Sequence, residues 1–246
     1  MKKGILLTSV AAIGILSASA QSIISWNDNN GAPGGNNIPA SGTAGVAPAI
    51  NWNNSNPGNG GGMANLVDNT GTPTTAGFTV NGSWGPWGIA LVTSPDNDGT
   101  YNEQLLAGYA NTSSGIGPET LSITGIPFAL YNVIVYFSSD ASGRAGTISD
   151  ANTGITYSFS TEGGAAIPGG GNALLVQTTD TGANNPLADY AIFSNVSGAT
   201  DTLALSIPNG GGIAGFQIVA VPEPGTLALA GLGGLALLGL RRRTTK

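Results

Sequence analysis

The heptapeptide YNVIVYF, at residues 131–137, would have apolar side chains on both faces if it formed a β-strand. Side chains two residues apart lie on the same side of a strand. One face therefore presents Tyr131, Val133, Val135 and Phe137, and the other presents Ile134 and Tyr136. A strand with two apolar faces must be covered on both sides. We therefore expect residues 131–137 to form a central strand of a layered β-structure.

Other segments of the chain alternate apolar residues with small polar ones, as half-buried strands do. The apolar sets are Phe78 and Val80; Leu121 and Ile123; Ile155, Tyr157 and Phe159; and Leu203, Leu205 and Ile207, with residues 213–221 as a last strand. Turn-forming clusters separate them at residues 94–99, 150–154 and 208–210.

This pattern, with no convincing helix between the two ends of the chain, predicts an all-β fold. We expect an antiparallel two-sheet sandwich, jelly-roll-like, over residues 63–220. The Asn/Gly-rich segment at residues 21–62 is predicted to be partly irregular, because glycine loses much entropy on ordering. A parallel β-helix is the alternative fold, although the sequence has no fixed repeat period.

Three segments resemble galactose-binding-like and carbohydrate-binding-module sandwiches. They are QLLAGY at residues 104–109, the strand at residues 131–137, and IAGFQI at residues 213–218. The resemblance lies in the pattern and identifies no binding residue.

The first 20 residues have the three parts of a signal peptide. A pair of lysines is followed by an apolar run at residues 5–16, and then by Ala18 and Ala20 as the small residues of a signal peptidase site. We expect cleavage after Ala20. A retained N-terminal anchor is the alternative, but the run is short for a membrane span.

The C-terminal residues 221–246 read VPEPGTLALAGLGGLALLGLRRRTTK. A Pro-Glu-Pro motif at residues 221–225 precedes an apolar run at residues 226–240 and a basic tail at residues 241–246. As a transmembrane helix the run would span roughly 22 Å at ~1.5 Å per residue. The hydrocarbon core is ~30 Å thick, so the helix would be a marginal anchor. The cations after it would remain in the cytoplasm.

These three parts together resemble the PEP-CTERM protein-sorting signal. The resemblance rests on the apolar run and on two sets of residues: the sorting motif, Val221, Pro222, Glu223, Pro224 and Gly225, and the membrane stop, Arg241, Arg242 and Arg243. It implies recognition by exosortase, a membrane protease of Gram-negative bacteria that make extracellular polysaccharide. It also implies export, transient anchoring in the membrane, and then a cell-surface or extracellular location. An ordinary tail anchor is the alternative.

Between its ends the chain is acidic and lacks several catalytic residue types. Arg144 is the one cation against twelve acidic residues in residues 21–221, a net charge of −11. Nucleic acid is therefore a poor partner, since binding phosphates requires many Lys or Arg contacts. The chain has no histidine and no cysteine, which excludes a Ser-His-Asp triad and a thiolate or imidazole zinc site.

The segment DNDGTYNE at residues 96–103 is a candidate metal site. Asp96, Asp98 and Glu103 could converge on a Ca²⁺ ion, which takes six to eight oxygen ligands. An EF-hand is excluded, because Leu105 stands where the bidentate glutamate is required. Ordinary turn chemistry explains the same residue types, so both interpretations stay open. We expect no other cofactor.

The segment WGPW at residues 84–87 is a candidate ligand site, because exposed indole faces can stack on sugar rings. Tyr101 and Tyr109 could lie near Trp84 and Trp87. Packing in the core is the alternative, since tryptophan is usually largely buried.

We therefore expect an exported, non-catalytic protein of the cell surface or extracellular matrix. The alternative is a carbohydrate-binding module that takes polysaccharide at Trp84 and Trp87. A third hypothesis is a carbohydrate-active enzyme with two convergent carboxylates, although no pair stands out in the spacing of the acids.

Overall fold

The computed structural model describes residues 21–29, 36–89, 92, 95–112, 117–166 and 173–222. Several predicted features lie outside these residues. They are the signal peptide with Ala18 and Ala20, motif residues 223–225, the transmembrane helix at residues 226–240 and the membrane stop at residues 241–243. No helix in the described part of the chain is both long and apolar enough to span a bilayer.

The elements follow one another as β1 (Ile23–Asp28), β2 (Asn53–Ser55), β3 (Gly62–Met63), β4 (Gly77–Asn81), β5 (Gly85–Gly88), α1 (Asn102–Ala107), β6 (Gly108–Thr112), β7 (Glu119–Thr124), β8 (Leu130–Ser138), β9 (Ala145–Asp150), β10 (Thr156–Thr161), β11 (Leu187–Ala188), β12 (Tyr190–Ser197), β13 (Thr200–Ser206) and β14 (Gly211–Ala220). Every strand predicted from the alternation is present. Residues 21–62 supply β1, β2 and the start of β3.

The strands form two sheets. Sheet A has the order β12-β8-β14-β1-β2, with β6 also paired to β14 and β5 paired to β6. Sheet B has the order β11-β10-β9-β13-β7-β4-β3. From β7 onward the chain moves between the sheets: β7 is in B, β8 in A, β9 and β10 in B, β12 in A, β13 in B and β14 in A.

The prediction of antiparallel sheets was wrong in one respect. β1 pairs with β2, and β10 with β11, in parallel, so both sheets are mixed. Each parallel partner is only two or three residues long and lies at a sheet edge. The parallel β-helix alternative was also wrong, because most neighbouring strands are antiparallel and the two sheets face each other.

Aromatic side chains from both sheets form the core between them. The ring centroids of Trp26 and Phe78 are 4.5 Å apart, and those of Phe137 and Phe159 are 3.8 Å apart. In each pair one ring comes from sheet A and the other from sheet B. These contacts hold the sheets face to face as a sandwich.

The outer face of sheet A is covered as well, which confirms the prediction for residues 131–137. Ile134 and Tyr136 of β8 are buried against the segment at residues 38–52 and against α1. The Tyr136 hydroxyl donates to Oε1 of Gln217 (2.6 Å) and accepts from the backbone N–H of Val46 (2.7 Å). The covering segment is therefore fixed to the sheet by a buried polar network as well as by apolar contacts.

The helix α1 was not predicted. It has six residues, too few to be stable alone in water. Leu105 and Leu106 are fully buried in the cluster on the outer face of sheet A, and this packing stabilises the helix. The QLLAGY segment is thus the end of a helix followed by the start of β6.

Candidate ligand-binding pocket

The WGPW segment lies at the edge of sheet A, where β5 pairs antiparallel with β6. Trp87 is directly opposite Tyr109, and Gly85 is opposite Asn111. Directly paired residues have their side chains on the same face of the sheet. The turn before β5 is fixed by the backbone N–H of Trp84, which donates to the Asn111 carbonyl (2.7 Å). Gly85 has a φ of 133°, which favours glycine at this position.

Both indoles are exposed. Trp84 has 69% of its surface accessible and Trp87 has 51%. They therefore do not pack in the core, and the core-packing interpretation was wrong. With Tyr109 and Asn111 they line a pocket of about 520 Å³, a volume within the usual range of ligand sites.

One wall of the pocket contains an ion pair. Asp140 Oδ1 and Arg144 Nη1 are 2.7 Å apart, and the same nitrogen donates to the Gly210 carbonyl at 2.7 Å. Asn209 and Gly210 complete this wall. The guanidinium has further N–H donors that these two contacts do not use. The pocket thus combines aromatic faces with hydrogen-bonding groups whose charges balance.

Tyr109 lines the pocket and is 1% exposed. Burial raises the pKa of its hydroxyl, and the charge of Asp140 adds to this effect. The phenol is therefore neutral at physiological pH. Tyr101, the other tyrosine suggested by the sequence, does not line this pocket.

The candidate calcium ligands have separate structural roles. Asp96 is buried and accepts from the Thr100 hydroxyl (3.1 Å), whereas Asp98 is exposed and accepts from the Thr100 backbone N–H (2.9 Å). Burial raises the pKa of Asp96. Glu103 is buried in the first turn of α1. Among the described residues no group of three or more acidic side chains could hold a metal ion, and calcium binding stays a prediction.

The structure also brings together two acids that the sequence did not pair. Asp150 at the end of β9 and Asp201 in β13 are buried, and burial raises the pKa of Asp201 to about 7, with Asp150 adding to the effect. They lie near Tyr131, whereas the pocket lies beyond the other end of β8. Only the pairing of β9 with β13 brings the two acids together, because 50 residues lie between them in the sequence.

At the end of β14 the chain enters the segment that resembled a sorting signal. Residues 220–243 match the family described as the PEP-CTERM protein-sorting motif. The chain carries a PEP-CTERM motif. The match starts at the last residue of β14, so it identifies the signal and leaves the sandwich unassigned. No curated protein and no solved structure matches the chain significantly.

A PEP-CTERM motif is recognised by exosortase, a membrane protease, and implies export with processing at a membrane. It implies a cell-surface or extracellular destination. The first motif residue, Val221, directly follows β14 and is hydrogen-bonded to sheet A, because its backbone N–H donates to the Leu130 carbonyl (2.9 Å). The PEP-CTERM signal therefore begins directly at the folded domain, with no linker between them.

Proposed function

We propose that this protein is an exported surface component that binds a neutral polysaccharide in the pocket of Trp84 and Trp87 and catalyses no reaction. The observation that carries the proposal is the exposure of two indoles beside one pocket. An exposed patch of large aromatic side chains rimmed by polar residues is typical of an interaction site or a ligand-binding groove. Indole faces stack on the apolar faces of sugar rings, and the polar wall can bind ring hydroxyls.

The charge of the pocket favours a neutral ligand. Asp140 and Arg144 neutralise each other, whereas residues 21–221 together have a net charge of −11. An anionic polysaccharide would be repelled by this field, whereas hydroxyl groups can pair with Asn111, Asn209 and the remaining guanidinium N–H groups. The extracellular polysaccharide that the PEP-CTERM resemblance implies is the ligand we expect.

The acids of the chain support a non-catalytic role. Hydrolysis of a glycosidic bond generally uses two carboxyl groups about 5–10 Å apart across the substrate. Among the described residues that line the pocket, Asp140 alone has a carboxyl group, and Arg144 binds it. The pair formed by Asp150 and Asp201 is buried away from the pocket.

The fold supports the same proposal. The adjacency of β1, β14, β8 and β12 in one sheet and of β7, β13, β9 and β10 in the other supports a jelly-roll topology. We propose that the domain is a jelly-roll sandwich of the carbohydrate-binding kind, with its site at the edge formed by β5 and β6.

A glycan array tests the proposal with the wild-type protein and Trp87→Ala. We expect the substitution to weaken binding at least about twofold to tenfold, since an aromatic contact contributes about 0.5–1.5 kcal/mol beyond the apolar area that it buries. Leu187→Ala is a matched control, because Leu187 is 50% exposed and does not line the pocket. Equal binding by the wild type and Trp87→Ala would remove the pocket as the site.

A purely structural role in the matrix is the second candidate, and the sorting motif favours it independently of the pocket. It predicts that the wild-type protein binds no glycan on the array but still reaches the cell surface. Surface labelling of intact cells would test its delivery.

A further inference from the structure

The pocket and the sorting motif lie at opposite ends of β14. At its start, Gly211 and Gly212 pair with Thr112 and Asn111 of β6, and Asn111 lines the pocket. At its end, Ala220 pairs with Tyr131 of β8.

The strand between them sets the separation. β14 has ten residues, which at a rise of ~3.3 Å per residue extend over roughly 30 Å. β8 runs beside it over the same span in the opposite direction, from Leu130 near the motif to Ser138 near the pocket. Two hydrogen-bonded central strands make this a rigid spacer.

Residue 21 lies at the same end of sheet A as the motif. The backbone N–H of Ala220 donates to the Ser22 carbonyl (3.0 Å), and the Gln21 side chain donates to the Ala220 carbonyl (2.6 Å). We call this end of sheet A, with residues 21–22, 130–131, 197 and 220–221, the base. Residues 21–22 and 220–221 therefore lie together at the base.

Little chain separates the base from the apolar run. Val221 is hydrogen-bonded in the sheet, and the run begins at Thr226, five residues later. Five fully extended residues reach at most ~17 Å. With the run in a bilayer, the base must lie close to the membrane surface.

The charge of the domain disfavours an orientation in which the flank of the sandwich lies on the membrane. Arg144, which lies at the pocket, is the one Lys or Arg in residues 21–222. The sandwich has no basic patch that would attach its flank to anionic lipid, and its net negative charge is repelled by such a surface.

We propose that the domain, before its C-terminal signal is processed, stands on the membrane by its base with the pocket directed outward, so that the anchored protein connects the membrane to a polysaccharide. The ligand in this statement rests on the proposed function, whereas the orientation rests on the strand register and the position of the motif.

Fluorescent labels can test the orientation, because the chain has no cysteine. Ser197→Cys labels the base, where Ser197 pairs with Leu130. Ser142→Cys labels the far end, because Ser142 lies between Asp140 and Arg144 in the sequence. Both serines are exposed and neither lines the pocket. The full chain is reconstituted in phosphatidylcholine vesicles whose headgroups have a short-range quencher.

We expect severalfold stronger quenching of the label at Ser197 than of the label at Ser142. Equal quenching, or stronger quenching at Ser142, would overturn the orientation. A full chain that fails to float with the vesicles would also overturn it, because no anchored state would exist.

The same vesicles test the proposed orientation and the proposed ligand independently of each other. We expect them to capture the polysaccharide chosen from the array, and we expect Trp87→Ala to lose capture without changing the quenching. No capture by the wild type, with the quenching pattern intact, would overturn the proposed connection to polysaccharide and leave the orientation standing.

Discussion

The carboxyl pair formed by Asp150 and Asp201 should make the sandwich less stable as the pH rises. The two side chains are 1% and 2% exposed, and Oδ2 of each lacks a hydrogen-bond partner among the described residues. Asp201 Oδ1 accepts from the Thr202 backbone N–H (2.7 Å), and Asp150 Oδ1 accepts from the Thr153 hydroxyl (2.6 Å). One proton shared between the Oδ2 atoms would satisfy both.

The direction of the pH effect follows from the pKa of Asp201. Burial, with Asp150 beside it, raises this pKa to about 7 in the folded protein, whereas an unfolded aspartate has a pKa of about 3.9. Between these values the folded state binds more protons than the unfolded state, so the free energy of unfolding falls as the pH rises. A difference of about three units corresponds to at most about 4 kcal/mol, lost as the pH rises from about 4 to above 7.

The substitution Asp201→Asn should remove this loss. Asparagine keeps the oxygen that accepts from Thr202, and its amide can donate to Asp150 as the protonated acid would. We expect the variant to match the wild type at about pH 4 and to be more stable by about 2–4 kcal/mol at about pH 8.

Urea unfolding at a series of pH values provides the measurement. Asp98→Asn is the control, because Asp98 is exposed and hydrogen bonds from Thr100 lower its pKa. It should not show the same gain above neutral pH. Equal destabilisation of Asp201→Asn at low and high pH would contradict a proton shared between the two carboxyl groups.

Two further substitutions probe the contacts of sheet A. Tyr136→Phe removes the hydroxyl shared by Val46 and Gln217, and it should lower the free energy of unfolding by about 1–3 kcal/mol in urea titrations, because their buried polar groups lose a partner. Gly210→Ala places a Cβ 2.8 Å from Arg144 Nη1 at a φ of 92°. It should weaken polysaccharide binding in titrations and cost about 1 kcal/mol or more of stability, and unchanged binding would exclude this wall of the pocket from the site.

The strands were predictable because alternation is a local property of the chain. Each segment with a period of two became a strand, including β8 with its two apolar faces. The parallel pairing of β2 with β1 was not predictable, because three residues with no apolar pattern were placed by long-range contacts. α1 was missed for the same reason, since packing against sheet A rather than helical propensity stabilises it.

The candidate site was predictable in its residue types but not in its geometry. The WGPW segment and Tyr109 suggested a sugar platform, but the sequence left packing in the core open, because tryptophan is usually largely buried. The ion pair of Asp140 and Arg144, which lines the same pocket, had no sequence signal that linked it to the tryptophans. Pairing of β5 with β6, and the position of the turn after β13, brought these groups together.

Residue identity and order are enough to establish the sorting motif, the acidic character of the domain and the lack of histidine and cysteine side chains. Tertiary structure alone decided that Trp84 and Trp87 face solvent, that Asp150 meets Asp201, and that the pocket and Val221 lie at opposite ends of sheet A. Each of these depends on which residues the strand register places side by side, and a register is set by the burial of all the strands together.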